Sequence, residues 1–444
     1  MPYGASGHLP AEFASKIGHL DVLQSELVNE LINAFEYTAE HEETVEAWTS
    51  YERDAGEPLR IVFSVDGSFQ NVRAQRPPYR EVCFIKTALM RVDPHRLDDI
   101  DPKYPHPQKL QQLMKESALF HSTVLPLSGV EFSSTSWIDG VRQIVKDSLN
   151  DPRTRDAGIW ETLKWLVYQK WDSQKQSPSP DFSCPGCNTE IPGMPFDGDS
   201  HTCPHCGQEI TVADVIGLHM EMFEDGASQA LATSYMAIHE LLLLFSAIRY
   251  FWENNRTLLS RTLFLKDGPL SLRGQYTKLV PNIRSFLQYA KEQGVPIHLV
   301  GQEKSGKFFE HLQVIQRHVP PHTRNDSPSY FILSHDYIRR RIQRVRDTQY
   351  QYGQKTNYGE KVFVKPEAHH PMVLSVAVGD YDLRDQFPAT IDDFIGLERI
   401  LVTIPHILSR QHEGGLIPIQ LAHGVASLSS YPSAQVLRVF AGID

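Results

Sequence analysis

Two short segments of this chain end an apolar run in the same dipeptide. One is Arg60-Ile-Val-Phe-Ser-Val-Asp66-Gly67-Ser68; the other is Leu263-Phe-Leu-Lys-Asp267-Gly268-Pro269-Leu270. Each reads as a strand that stops at an aspartate, with a glycine to release the chain from the sheet. A carboxylate at a strand tip is a hard oxygen donor, and two such tips at one sheet edge could share a divalent cation. Asp-Gly is also a frequent turn dipeptide, so the reading gains from a third acid. Two glutamates compete for that place. Glu240 has Met236, Leu243 and Leu244 one helical turn away, and a carboxylate in that setting is costly unless paired or metal-bound. Glu253 has Arg249 and Arg256 at the same spacing, which suits a solvated ion-pair face. Glu240 is preferred, with Glu253 left open.

Four of the five cysteines form a second constellation, Cys184-Pro-Gly-Cys187 and Cys203-Pro-His-Cys206, with fifteen residues between the pairs. Four thiolates at this spacing close a tetrahedral Zn²⁺ site with no open position, which makes the metal structural. Such a ribbon is either a staple for a module too small to build its own core or a surface that meets DNA or a partner. His205 reads as a bystander and Cys83 as a small buried residue. The pattern fits a reduced, cytoplasmic setting better than a disulfide framework.

The elements that must position these residues follow from periodicity. Apolar residues from Phe13 to Phe35 recur at helical spacing, so residues 10–50 are expected to be helical. Residues 60–91 read as a β-hairpin with Arg73, Arg76, Pro77 and Pro78 in its turn. Residues 92–180 read as irregular with short helices, and 211–258 as one or two long helices. Strands at 262–266 and 296–300 flank a helix at 275–293, a βαβ unit. Further strands are expected near 330, 362 and 373, helices at 391–410 and 416–430, and a last strand over Gln435 to Phe440. The sum is an α/β fold, a mixed sheet flanked by helices. A basic run, Arg339-Arg340-Arg341-Ile342-Gln343-Arg344-Val345-Arg346, is the clearest phosphate-facing candidate, with Arg340 and Arg344 on one helical face. Tyr350, Tyr352 and Tyr358 follow as candidates for base stacking.

At 444 residues the chain can hold two or three units. Its net charge of −11 argues against a simple duplex-coating protein, but not against an enzyme that neutralises phosphates with a divalent metal. No uncharged apolar stretch approaches ~18 residues, so no membrane span is expected. The start, MPYGASGHLPAEF, has no basic region followed by an apolar one, so no secretory signal is expected.

In this order, the VDGS strand, the helix glutamate, the strand ending in DGPL, the segment Gly294-Val-Pro-Ile-His-Leu-Val-Gly-Gln-Glu-Lys304-Ser305 and the late Pro418-Ile-Gln-Leu-Ala-His423 resemble the NurA nucleases. The resemblance covers residues 60–91 and about 230–430. It implies an RNase H-like core, a homodimer, and Mn²⁺- or Mg²⁺-dependent DNA cleavage, as exonuclease or single-strand endonuclease. It further implies a HerA-like hexameric ATPase as partner, in DNA end processing or phage defence. Asp66, Glu240 and Asp267 would then ligate the catalytic metal, His423 would sit near the scissile phosphate, and Lys304 would touch DNA. On this basis residues 1–55 form a helical segment, 56–95 with 211–444 the nuclease core, 96–180 a helical or irregular insertion, and 181–210 the zinc ribbon. Compact family members lack such an insertion, which implies a specialised branch. The alternatives are a non-catalytic adaptor that binds DNA or a partner on a nuclease-like scaffold, and a hydrolase of RNA or another phosphoester.

Overall fold

The structure, a computed structural model, describes residues 22, 25–34, 48–53, 56–93, 117–316, 328–347, 349–367, 370–409, 414–428 and 433–443. The chain divides into two units, Met1–Glu46 and Ala47–Asp444. In the first, helix α1 spans Glu26–Ala34. Most of the helix expected over 10–50 lies outside the described residues, and at its far end Thr49–Ser50 is a short strand, β1.

The second unit is built on a large mixed sheet. Its strands are β1, β2 (Ile61–Arg73), β3 (Glu81–Val92), β4 (Ala118–Ser128), β9 (Thr262–Asp267), β10 (His298–Glu303), β11 (Ser329–Ile332), β12 (Gly359–Lys365) and β13 (Met372–Ala377). Short strands β5 (Phe182–Ser183), β6 (Glu190–Ile191), β7 (Ser200–Thr202) and β8 (Glu209–Thr211) form two small hairpins beside it. Besides short helical turns such as Arg256–Leu259 and His335–Tyr337, the helices are α2 (Trp137–Leu149), α3 (Ile159–Val167), α4 (Gln229–Asn254), α5 (Val280–Glu292), α6 (Lys307–Gln316), α7 (Leu397–Thr403), α8 (Ile417–Ala426) and α9 (Ser433–Phe440).

Sheet order is β1-β11-β12-β13-β10-β9-β2-β3-β4. β2, β3 and β4 form an antiparallel meander, and β2, β9 and β10 run parallel. Parallel neighbours need a crossover, and α5 supplies it between β9 and β10. The central strands are buried on both faces, which is why they read as continuous apolar runs. Phe63, Val65 and Phe264 join a core with α2 to α5 and the cysteine hairpins. Val62, Leu263 and Leu265 join a second core with α7 and α8. Phe63 and Phe264 stack across the β2–β9 seam at 5.7 Å between ring centres.

Three expectations need correction. β2 does not stop at Asp66 but continues through Gly67 to Arg73, paired with β3 along its length. The segment expected to be irregular supplies β4, whose chain alternates half-heartedly because it is an edge strand with Phe120 and Val124 exposed. The stretch 211–258 holds one long helix, α4, within the expectation of one or two, preceded by two short 3-10 turns and followed by a helical turn over Arg256–Leu259. Gln435 to Phe440 is helix, not strand: Val436, Val439 and Phe440 carry a helical spacing.

α4 also has the length and hydropathy of a membrane span, but 72% of its most apolar stretch is buried inside the protein. It packs on β2 and β3, where an all-round apolar helix belongs to a core.

Candidate active site and metal centre

Strand alternation places the first aspartate. Ser64 and Asp66 point towards α8, where Ser64 Oγ donates to the Pro418 carbonyl at 2.6 Å and Asp66 Oδ2 lies 2.8 Å from His423 Nδ1. The Gly67 amide donates to Asp66 Oδ1 at 2.8 Å. Gly67 itself faces α4. A Cβ at this position would lie 2.5 Å from Glu240 Oε1 and 2.6 Å from Met236 Cγ, so the glycine is there to let helix and strand approach. The second Asp-Gly works differently: Gly268 has φ +88° and does turn the chain out of the sheet.

Glu240 is 5% exposed on α4, and its Oε2 lies 3.3 Å from Lys266 Nζ. Lys266 also donates to the Asp267 carbonyl at 2.9 Å. Asp267 Oδ2 pairs with Lys304 Nζ at 3.1 Å. The parallel register sets Gln302 opposite Asp267, so Lys304 emerges just beyond the same sheet edge. Glu253 pairs with Arg249 at 3.5 Å, is half-exposed and does not reach this edge.

Burial pushes the Asp66 carboxyl above the ordinary carboxylate range, and the charge of Asp267 adds to this; the His423 hydrogen bond opposes it. Burial likewise raises Glu240, with Lys266 opposing and Asp66 and Asp267 adding. These groups line one cleft of about 850 Å³. Its other walls carry cations at Arg273, Lys304 and Lys307, and aromatic surface at Phe308 and Tyr352. His423 is not in the lining; it meets the cleft through Asp66.

The donor set fits a hard divalent cation. Three carboxylates line the same cleft; burial raises the carboxyls of Asp66 and Glu240, the charge of Asp267 adds to both, and a bound divalent ion would offset that cost. They are not drawn into a tight cage: among the described residues, only the four cysteines bring three or more His, Cys, Asp or Glu ligand atoms within 4.8 Å of one another.

That cysteine group can hold a metal such as zinc. Cys184 and Cys206 Sγ are 3.7 Å apart, and Cys187 and Cys203 Sγ 3.8 Å. A Zn–S length of about 2.3 Å gives a tetrahedral edge of about 3.8 Å. The knuckles are built alike. β5–β6 and β7–β8 flank them, and the residue after the second cysteine of each, Asn188 or Gly207, is left-handed. Gly186 N donates to Cys184 Sγ at 3.4 Å. His205 is exposed and outside the group. The ribbon is fastened to the unit rather than hung from it. Phe182, Ile191 and Ile210 enter the core shared with α3 and α4. Arg142 of α2 grips both Asp214 oxygens at 2.7 Å and the Glu209 carbonyl at 2.8 Å.

The basic run departs from its expected form. After a cap at Ser334 the chain makes a π-helical turn over Ile338–Gln343 and stops at Arg344, whose φ is +54°. This breaks the spacing that would have aligned Arg340 with Arg344. Arg339 is buried against Asp336 (2.5 Å) and Asp385 (3.5 Å), so it cannot face a phosphate. Arg340 shares Asp336 at 2.7 Å. Arg341, Arg344 and Arg346 have no carboxylate partner among the described residues, and Gln343 lines the cleft, so the run borders its rim. Tyr358 is fully buried and cannot stack on a base; Tyr352 lines the cleft and Tyr350 is exposed.

Residues that went unnoticed in the sequence complete the site. Lys266 is a lone charge inside a buried strand, a signal visible beside Asp267. Glu303 and Lys361 pair across the cleft wall from β10 and β12, a contact between distant segments with no local signature. Compared with protein-family models the chain matches none, and no curated protein matches it.

Proposed function

We propose that this chain is a divalent-metal-dependent DNA nuclease of the NurA type, cleaving phosphodiesters as exonuclease or single-strand endonuclease. The observation that carries the reading is the convergence of Asp66, Glu240, Asp267 and Lys304 on one cleft. The sheet supports it. A meander β4-β3-β2 continued by parallel β9 and β10 is the strand order expected of an RNase H-like core, with Asp66 on its first strand and Asp267 on its fourth.

The residues divide the work. Asp66, Glu240 and Asp267 would hold the Mn²⁺ or Mg²⁺, which when bound supplies positive charge at the phosphoryl oxygens and at the attacking water. His423 holds the Asp66 carboxylate by its Nδ1 hydrogen bond. Lys304 offsets phosphate charge at the mouth, and Arg273, Lys307, Arg341, Arg344 and Arg346 give the backbone of the nucleic acid a cationic path. In keeping with the family resemblance, we assign a homodimer in the cytoplasm, fed with DNA by a HerA-like hexameric ATPase in end processing or defence against phage. The negative net charge supports delivery of DNA by such a partner over capture by the isolated protein. The closed zinc site supports a folding role for the ribbon.

Asp267→Ala tests the assignment. It should abolish cleavage of linear DNA while leaving the circular dichroism spectrum and the oligomeric state unchanged. Full activity in that variant overturns the reading.

A further inference from the structure

The acid cluster carries a cation of its own. Lys266 Nζ lies 3.3 Å from Glu240 Oε2, and both side chains are almost wholly buried, at 11% and 7% exposure. Its second contact, 2.9 Å to the Asp267 carbonyl, ties the same ammonium to the backbone of the neighbouring acid. A strand interior is a costly place for a lysine unless its charge is met, and Glu240 is the one carboxylate within ion-pair distance of it among the described residues. Alternation accounts for the geometry: Lys266 points to the α4 side of β9 and Asp267 to the α8 side, so the ammonium lies between the glutamate and the strand that bears the aspartate.

From this arrangement we propose that Lys266 is the resident counter-ion of the metal site, exchanged when a divalent cation binds. This rests on the metal-dependent reading above. In the metal-free protein Lys266 neutralises Glu240 and keeps it directed at the cleft. For Glu240 to ligate, through Oε2 or through the Oε1 that lies beside Gly67, the metal must compete with the ammonium for the carboxylate's charge, so the ion pair opposes metal binding. A weakly bound or singly charged cation cannot displace it; a divalent ion shared with Asp66 and Asp267 can. Lys266 is thus a positioning residue that sets the affinity threshold of the site. The freed ammonium then faces the cleft, where the substrate carries negative charge.

The test is Mn²⁺ binding to the full-length protein, followed by calorimetry and by the paramagnetic resonance signal of free Mn²⁺. Lys266→Met should bind Mn²⁺ more tightly than the wild type, by about tenfold or more, because a unit charge has been removed from beside a ligand. Lys266→Arg should bind like the wild type. Lys266→Gln, which keeps a donor for the Asp267 carbonyl, should follow Lys266→Met, and it replaces that variant if the methionine protein does not fold. Equal or weaker Mn²⁺ binding by both neutral variants overturns the counter-ion role. Absence of Mn²⁺ binding by the wild type instead overturns the metal-site reading itself, so the two failures are distinct.

Discussion

At the scale of single residues, Gly67 shows how a familiar dipeptide can mislead. Asp-Gly suggested a turn, and at Asp267-Gly268 it is one. At Asp66-Gly67 the strand runs on, and the missing side chain makes room for the Glu240 carboxylate and Met236. Gly67→Ala should therefore displace the Glu240 carboxylate and the Met236 side chain, costing about 1–3 kcal/mol as overpacking does. A thermal melt would show the loss, and titration with Mn²⁺ a weakened site; an unchanged melting point would mean that the two side chains give way freely. The acids were legible because glycine follows each aspartate and because Glu240 is a charge among leucines. Lys266 was passed over because its meaning depends on α4, which lies next to it only in the fold.

The raised Asp66 carboxyl has a consequence for stability. The folded, metal-free protein holds this proton at pH values where the unfolded chain has lost it. Stability contributed at low pH is therefore lost as the pH rises from the ordinary carboxylate value of about 4 through the raised folded value. Asp66→Asn removes that dependence and should raise the melting temperature of metal-free protein at neutral pH. Mn²⁺ should stabilise the wild type and not the variant. A wild-type melting temperature that climbs over this window in the absence of metal would contradict an Asp66 carboxyl raised by burial and by the charge of Asp267.

Among the elements, the sheet was readable where both faces are buried and obscure where one face is not. β9 and β10 are dense apolar runs. β4, at the edge, mixes Phe120 and Val124 with polar neighbours, and a pattern half turned to solvent resembles a loop. The cysteine hairpins were evident from spacing alone, but not their seating, which depends on Arg142 reaching across from α2. That seating makes the ribbon part of the unit's core. One zinc per chain is expected by elemental analysis. Its removal by a chelator, or Cys184→Ser, should lower the melting temperature of the whole second unit in a single transition. An early separate transition for the ribbon would show that it folds as an appendage.

For the whole molecule, net charge and local charge point in different directions. The chain is acidic overall, yet Arg273, Lys304 and Lys307 line the cleft, and Gln343, which lines it too, lies in the run that carries Arg341, Arg344 and Arg346, without a carboxylate partner among the described residues. Substituting Arg341, Arg344 and Arg346 together with alanine should weaken DNA binding alike for all sequences and flatten its dependence on log salt by about 3. An unaltered slope would place the DNA path elsewhere. The sequence overcounted this run, because the ion pairs that occupy Arg339 come from Asp336, one turn away, and from Asp385, far along the chain. Mixed α/β architecture was legible from strands and helices in alternation; the order of nine strands was not, because it is set by pairings such as β1 with β11, nearly three hundred residues apart.

The nuclease assignment itself is tested most directly by incubating labelled linear single- and double-stranded DNA with the protein in Mn²⁺, Mg²⁺ or EDTA, beside Asp66→Ala, with and without a HerA-like ATPase. Cleavage that requires the divalent ion and disappears in the variant is the expected result. Cleavage that persists in EDTA or in Asp66→Ala, or no cleavage under any of these conditions, would contradict it.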